Sequence, residues 1–492
     1  MTSTRTSLRL VTVAVIVGAF AMPAGAQVEL LEQYEHESWD GEAVDGSWAE
    51  AIEAVREAHP HLRDLRNLDL INTRRVRGFL GRGLEVTIPQ GGFRGFGPYA
   101  RLAQPADEAW YRYHIRLTGF YPAGSGKLPG LADASLSSSA KGCIPSTSGA
   151  PGWSARHMFE RVGTHGAGLH EVPIGVYLYH LGQAGGCGDE IMFNAALQQH
   201  RWTCIEGHVR MNTPGQSNGL FEAWVDGEKV ATVTELEFRR PSETHIKVRE
   251  MWDNVYFGGS YPTPNQLRMV YDQVVVSSSN RVGCVDPFLD DNNSQHEGAF
   301  TELHARGLFF GCDDRMACPY DRLTRAEFAA MLHRLLSPPP GPNAFIDDDG
   351  HWGESVLDSL AAAGIMRGCN PPANTRACPD APVSRAEVAA LVRRAVVLPP
   401  GPDAFDDDNG HWAEADIDAI AAAGVTRGCN DGSGYCPNAT MLRQEAATFM
   451  LRVDDLRTTI QPLSAPALPE WPPPGPPAEV PLDEREWNGP VD

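Results

Sequence analysis

The chain has 492 residues, 42 % of them hydrophobic, which is too long for one domain and apolar enough to build real cores. Its formal net charge is −22, with no basic run and no nucleic-acid motif, which argues against a nucleic-acid partner. The acids are unevenly spread: residues 27–57 carry −9 and residues 285–492 carry −18, whereas residues 58–284 carry +3, a balance compatible with an anionic ligand.

Residues 1–26 read as a signal peptide. Arg5 and Arg9 precede the apolar run LVTVAVIVGAFAM, and Ala24-Gly25-Ala26 supplies a small-residue cleavage site before Gln27. The run is too short for a good membrane-spanning helix and no later stretch qualifies, so the expectation is an exported chain with no membrane insertion after cleavage. In such a chain ten cysteines favour disulfides over thiolate chemistry. Residues 27–80 form an acidic lead-in, partly helical, with a helix expected over 47–56.

Residues 81–284 carry a β pattern. GLEVTIP, WYRYHIRLTGF, GVYLYHL, RWTCIEGHVRMN, FEAWVDGEKVATV and RMVYDQVVVSS are rich in β-branched and aromatic residues, and Gly, Pro, Asn and Asp separate them. Asp226-Gly227 predicts a tight hairpin turn with positive φ. Many short strands in succession predict a sandwich or jelly roll. Cys143, Cys187, Cys204 and Cys284 allow three connectivities, and the sequence does not choose among them. Tyr177 and Tyr179 sit two apart and share a strand face, with Val176, Leu178 and His180 on the other. By themselves they are ordinary β-formers.

From residue 285 the chain repeats, in units spanning 285–340, 341–400 and 401–456. The first cysteines, at 312, 369 and 429, are 57 and 60 residues apart. Cys312/Cys318, Cys369/Cys378 and Cys429/Cys436 are short local pairs. Thr324 with Glu327, and Ser384 with Glu387, spell capping boxes, each opening a helix with an apolar face. The pattern predicts a periodic array of three helix pairs. Zinc ligand spacings are absent, and the DDD runs do not match a calcium-binding EF-hand loop, so no metal site is expected. Residues 457–492 read as a Pro-rich, acidic, disordered tail.

The repeats resemble S-layer homology repeats in their cysteine-containing form. The resemblance rests on FIDDDGHW and AFDDDNGHW, AAAGIMRG and AAAGVTRG, and LTRAE and VSRAE. It implies binding to an anionic secondary cell-wall polymer through the arginine of the TRAE-type motif, here Arg325 and Arg385, which at a helix start are expected to be exposed beside free backbone N–H groups. The third unit reads Met441-Leu442-Arg443-Gln444-Glu445 and departs from the motif, so the inference is not extended to Arg443. The first unit lacks the His-Trp pair.

The β segment resembles the family 14 polysaccharide lyases, which cleave alginate and glucuronan on a concanavalin A-like jelly roll. GSGKLPGL, GWSARHMF, VYLYH, HVRMNTPG, WVDG and FGGS carry that resemblance through their order and spacing. It implies a groove with five functional residues: Lys127, Ser154, Arg156, Tyr177 and Tyr179. The loop GTHGAGLHE has no placed counterpart, and Ser125-Gly126 stands where the family often has a Gly pair.

The chemistry of β-elimination suits these residue types. A proton leaves C5 of a uronate beside an ionised carboxylate, and a cation such as Lys127 or Arg156 stabilises the charge that develops. A base must reach C5 and an acid must reach the leaving O4, and a tyrosine pair can serve both. Neither metal nor nucleotide cofactor is required. A glycoside hydrolase would want two inward carboxylates, and the groove motifs show no such pair. His165, His170, His180 and His208 read as exposed or structural. The resulting expectation is a secreted, wall-associated polyuronate lyase. The alternatives are a non-catalytic carbohydrate-binding jelly roll on the same anchor, and a purely structural envelope protein.

Overall fold

In the computed structural model the described residues are 30–34, 73–96, 99–133, 153–183, 188–252, 255–258, 261–292, 294–429 and 432–460. The expected signal peptide, the helix expected over 47–56, Cys143, Cys187 and residues 461–492 lie outside them. In chain order the strands are β1 (Leu30–Tyr34), β2 (Thr73–Arg77), β3 (Arg82–Ile88), β4 (Arg94–Phe96), β5 (Tyr99–Ala106), β6 (Glu108–Leu117), β7 (Gly126–Asp133) and β8 (Trp153–Phe159). They continue with β9 (Glu171–Tyr179), β10 (Asp189–Gln198), β11 (Trp202–Arg210), β12 (Gly219–Val225), β13 (Glu228–Leu236), β14 (Val248–Trp252), β15 (Val255–Phe257) and β16 (Leu267–Ser277).

They form two antiparallel sheets. One runs β13-β12-β11-β6-β16-β3-β2 with β1 added on β16, and the other runs β10-β9-β8-β7-β14-β5 with β15 linking β7 to β4. The sheet therefore begins before residue 81, because β1 and β2 come from the acidic lead-in and complete the first sheet. Side-chain alternation decides what lies between the sheets. Trp153, Ala155 and Phe159 of β8, and Val172, Ile174, Val176 and Leu178 of β9, join Tyr111, Tyr113 and Ile115 of β6 in one buried core. His157 lies in the same layer, 3.1 Å from the Tyr111 hydroxyl, and burial pushes its pKa down to about 3, so it stays neutral. The Asp226-Gly227 turn has φ of 48° and 82°, the hairpin conformation expected from the sequence.

Among the described residues, the β-sandwich is followed by six α-helices: α1 (Glu297–Ala305), α2 (Arg325–Leu336), α3 (Glu354–Ala362), α4 (Arg385–Val396), α5 (Glu414–Ala422) and α6 (Arg443–Ile460). Both expected capping boxes form, at the starts of α2 and α4. Helix α6 runs to Ile460, past the boundary expected at 456 and into the segment expected to be disordered. Each short helix packs on a long helix from another unit: α3 on α2, α5 on α4, and α1 on α6.

The three helix starts meet around a triangle of main-chain hydrogen bonds, Leu323 N to Met441 O, Val383 N to Leu323 O and Met441 N to Val383 O, at 2.9–3.0 Å. The local cysteine pairs are all disulfides, and Cys204 is joined to Cys284. The sandwich meets the helices through Phe79, Trp202 and Val270 against Ala305. His304 of α1 donates from Nε2 to Phe79 O at 2.6 Å. Arg201 links Glu302 of α1 to Asp226 of the hairpin turn.

Candidate active site

On β8 the residues that alternate with the core-facing ones are Ser154, Arg156 and Met158, and on β9 they are Gly175, Tyr177 and Tyr179. Register aligns them: Arg156 sits opposite Tyr177, Ser154 opposite Tyr179, and Lys127 of β7 opposite both Met158 and Tyr256. All five residues expected from the sequence therefore share the outer face of one sheet. Met158, Tyr177 and Tyr179 form a small cluster with Met192, separate from the main core.

A break in register between Lys127 and Gly130 brings β7 close to β8. A Cβ on Gly130 would lie 2.2 Å from Ala155 O and 2.5 Å from the Arg156 Cα, so only glycine permits this approach.

The site is cationic, aromatic and enclosed. Lys127 Nζ lies 4.5 Å from the Tyr177 ring centre and 5.7 Å from that of Tyr256. Arg156 lies 5.1 Å from the Trp252 ring, whose Nε1 donates to Glu250 at 2.7 Å. The two phenol rings stand edge to face at 5.2 Å. Tyr177 and Tyr179 are only 7 % and 3 % exposed. Burial, then the neighbouring Tyr177, pushes the Tyr179 phenol well above its ordinary range, with Arg156 opposing. Tyr179 thus keeps its proton at neutral pH. The Ser154 hydroxyl is fully buried without a hydrogen-bond partner among the described residues. A buried orphan hydroxyl of this kind is an unmet polar contact, two residues from Arg156 on the same strand face.

Trp252, Tyr256 and Glu250 complete the wall of the site and were not singled out from the sequence, although FGGS follows directly after Tyr256. They arrive through β14 and β15, whose pairing with β7 is long-range. The histidines do not enter the site. His180 pairs with Asp189 at 2.8 Å, and His208 lies on the other sheet between Glu108 and Glu222, stacked on Trp110.

In the helical region Arg325 and Arg385 differ from the expectation of exposed charges. They are 4 % and 2 % exposed, and Arg443 matches them at 4 %. Each N-terminal turn is covered by the loop of another unit. Arg325 reaches Glu387 at 2.5 Å, Arg385 reaches Glu445 at 3.2 Å, and Arg443 reaches Glu327 at 2.7 Å, which closes a ring. Each guanidinium Nε also donates to a main-chain carbonyl, of Ala377, Tyr435 and Ala317 respectively. Arg443, whose surroundings depart from the TRAE-type motif, is the third member of the set. The exposed groups in this region include Trp352 and Trp412, 59 % and 64 % exposed, each beside a histidine.

Residues 190–274 match the family model for polysaccharide lyase 14, and residues 404–447 match the S-layer homology domain. The lyase match covers β10 to β16 and stops short of the strands that carry Lys127, Arg156 and the tyrosines. The chain is 27 % identical over 139 residues to an uncharacterized cell wall amidase of Bacillus anthracis, covering 27 % of this chain and 25 % of that protein. It is 26 % identical over 161 residues to the S-layer protein sap of the same organism, covering 31 % and 19 %. The matches thus span a quarter or less of the length of these curated relatives. Among solved structures, the marine PL-14 alginate lyase of Aplysia kurodai is similar with a TM-score of 0.37 and 20 % identity, over 45 % of this chain and 93 % of that one. A segment of the sandwich is thus similar to polysaccharide lyase 14 and a segment of the helical region to the S-layer homology domain, which supports a secreted, wall-associated protein.

Proposed function

We propose that the β-sandwich cleaves an anionic polyuronate of the alginate or glucuronan type by β-elimination, and that the helical region holds it at the cell wall. The observation that carries the reading is the meeting of Lys127, Arg156, Tyr177 and Tyr179 on the face of one sheet away from its core.

Lys127 and Arg156 supply two cations where a uronate carboxylate would lie, and they stabilise the charge that builds as the C5 proton leaves. Tyr179, held protonated by its burial, suits the acid that delivers a proton to O4 as the C4–O4 bond breaks. Tyr177, beside Lys127, is then the residue that takes the C5 proton. Ser154 offers its orphan hydroxyl to orient the sugar carboxylate. The product is an unsaturated uronate at the new non-reducing end.

The six helices support a reading as three S-layer homology units, closed on one another. Arg325 and Arg385 would serve wall-polymer binding by fixing the seams between units. The exposed Trp352 and Trp412 offer apolar faces on which sugar rings can stack.

The enclosure of both phenols favours one second reading, a non-catalytic carbohydrate binder. Incubation with alginate, polymannuronate, polyguluronate and glucuronan separates the two, read by the ultraviolet absorbance of the new C4–C5 double bond. A rise on one of these polymers is the expected result. Binding without any rise would support the lectin-like reading and overturn the lyase.

A further inference from the structure

Three acids at equivalent places in the helical region are buried with nothing to hold them. Asp291, Asp348 and Asp408 are fully buried, and neither carboxylate oxygen of any of them has a hydrogen-bond partner among the described residues. The acid immediately before each one is accounted for. Asp290 accepts from the backbone N–H groups of Ala317 and Cys318, Asp347 from those of Ala377 and Cys378, and Asp407 from those of Tyr435 and Cys436, all at 2.6–3.1 Å. The acid runs thus divide their work: one carboxylate ties down the disulfide loop, and the next is buried with no donor from another residue.

The surroundings of the inward acid are themselves acidic. The charges that act on Asp348 are those of Asp358, then Asp347 and Glu354, and on Asp408 those of Asp418, Asp407 and Glu414. Burial and these neighbours raise both carboxyls above the ordinary range, Asp408 to about 6. Asp358 and Asp418 are buried on α3 and α5, where one oxygen of each receives the N–H of Ala344 or Ala404. The nearby histidine is committed elsewhere: His351 Nδ1 accepts from Gly353 N, and its Nε2 faces Asp380. In the first unit the position matching Asp358 and Asp418 is Thr301, so Asp291 lacks this partner.

A buried carboxylate that lacks a hydrogen-bond partner, with a second buried carboxylate acting on it, is costly, and a cation shared by the two removes the cost. The donors are all hard oxygens. The cysteine sulfurs near Asp347 and Asp407 are locked in disulfides, and those two carboxylates are already occupied. We propose that Asp348 with Asp358, and Asp408 with Asp418, each bind one calcium ion, the remaining coordination positions being filled by water. The DDD runs then belong to a cation site of a kind unrelated to the EF-hand loop.

The test uses the full chain stripped with EDTA and titrated with calcium chloride, by calorimetry and by thermal unfolding. The expected result is about two ions per chain, bound with the sub-millimolar to millimolar affinity of extracellular modules, and a rise in the unfolding temperature of the helical region at several millimolar calcium. Asp348→Asn/Asp408→Asn removes the buried charge while keeping the shape. This variant should unfold in EDTA no earlier than the unaltered chain, and should neither bind calcium nor shift with it. Asp358→Asn/Asp418→Asn serves as the second variant should the first not fold. Absence of heat and of any shift in the unaltered chain would overturn the proposal, as would calcium binding by a folded Asn variant equal to that of the unaltered chain.

Discussion

Both tyrosines lie on the outer face, and burial, then the neighbouring Tyr177, holds the proton on Tyr179. On the proposed reading, Tyr179→Phe should lower kcat on the preferred polyuronate by about 10²–10⁴-fold, the usual range for a lost general acid, with little change in KM. Ser154→Ala should act the other way and raise KM more than it lowers kcat, because it removes a contact to substrate and moves no proton. Both follow from initial rates across a substrate series. That the five residues share one sheet face was legible, because they sit in recognisable local motifs on strands with a two-residue period. Trp252, and Glu250 that accepts from it, were not legible, since Trp252 comes to Arg156 only through the pairing of β14 with β7, which no local pattern encodes.

Among the elements, β7 and the long helices carry the clearest demands. Gly130 lets β7 approach β8 more closely than a side chain allows, so Gly130→Ala should cost about 1–3 kcal/mol of stability through forced displacement. Because Lys127 lies on the same strand, activity should fall with it. Urea unfolding and rates on one sample check both. The Arg–Glu ring makes a sharper prediction. Arg325→Ala, Arg385→Ala and Arg443→Ala should each destabilise the helical region by about 3–5 kcal/mol, because each leaves a partly buried carboxylate without its partner. Comparable losses at all three, Arg443 included, are expected. The capping boxes and cysteine pairs were readable locally, so α2 and α4 start where expected. The burial of the arginines was not readable, because the cover over each helix start comes from a loop of another unit.

For the whole molecule, the junction between sandwich and helices depends on a neutral histidine. Burial lowers the pKa of His304, and also that of His114, which stacks on Phe79 on the other side. A histidine whose folded pKa is depressed binds its proton more readily when unfolded. Stability is therefore fully present above the ordinary histidine pKa of about 6.5 and declines as pH falls below it. Urea midpoints should drop between pH 7.5 and 5.5, and His304→Gln, which keeps a donor for Phe79 O, should flatten part of that slope.

The closed arrangement of the helices has a mechanical side as well. Helix α1, which meets the sandwich, packs directly on α6, and Arg306 ties Glu302 to Asp454 and Asp455. A pull on the sandwich while the helices are held fast is therefore shared between the first and last helices at once. The first and last helices resist such a tug together, as a clasp does, and do not peel away one after the other.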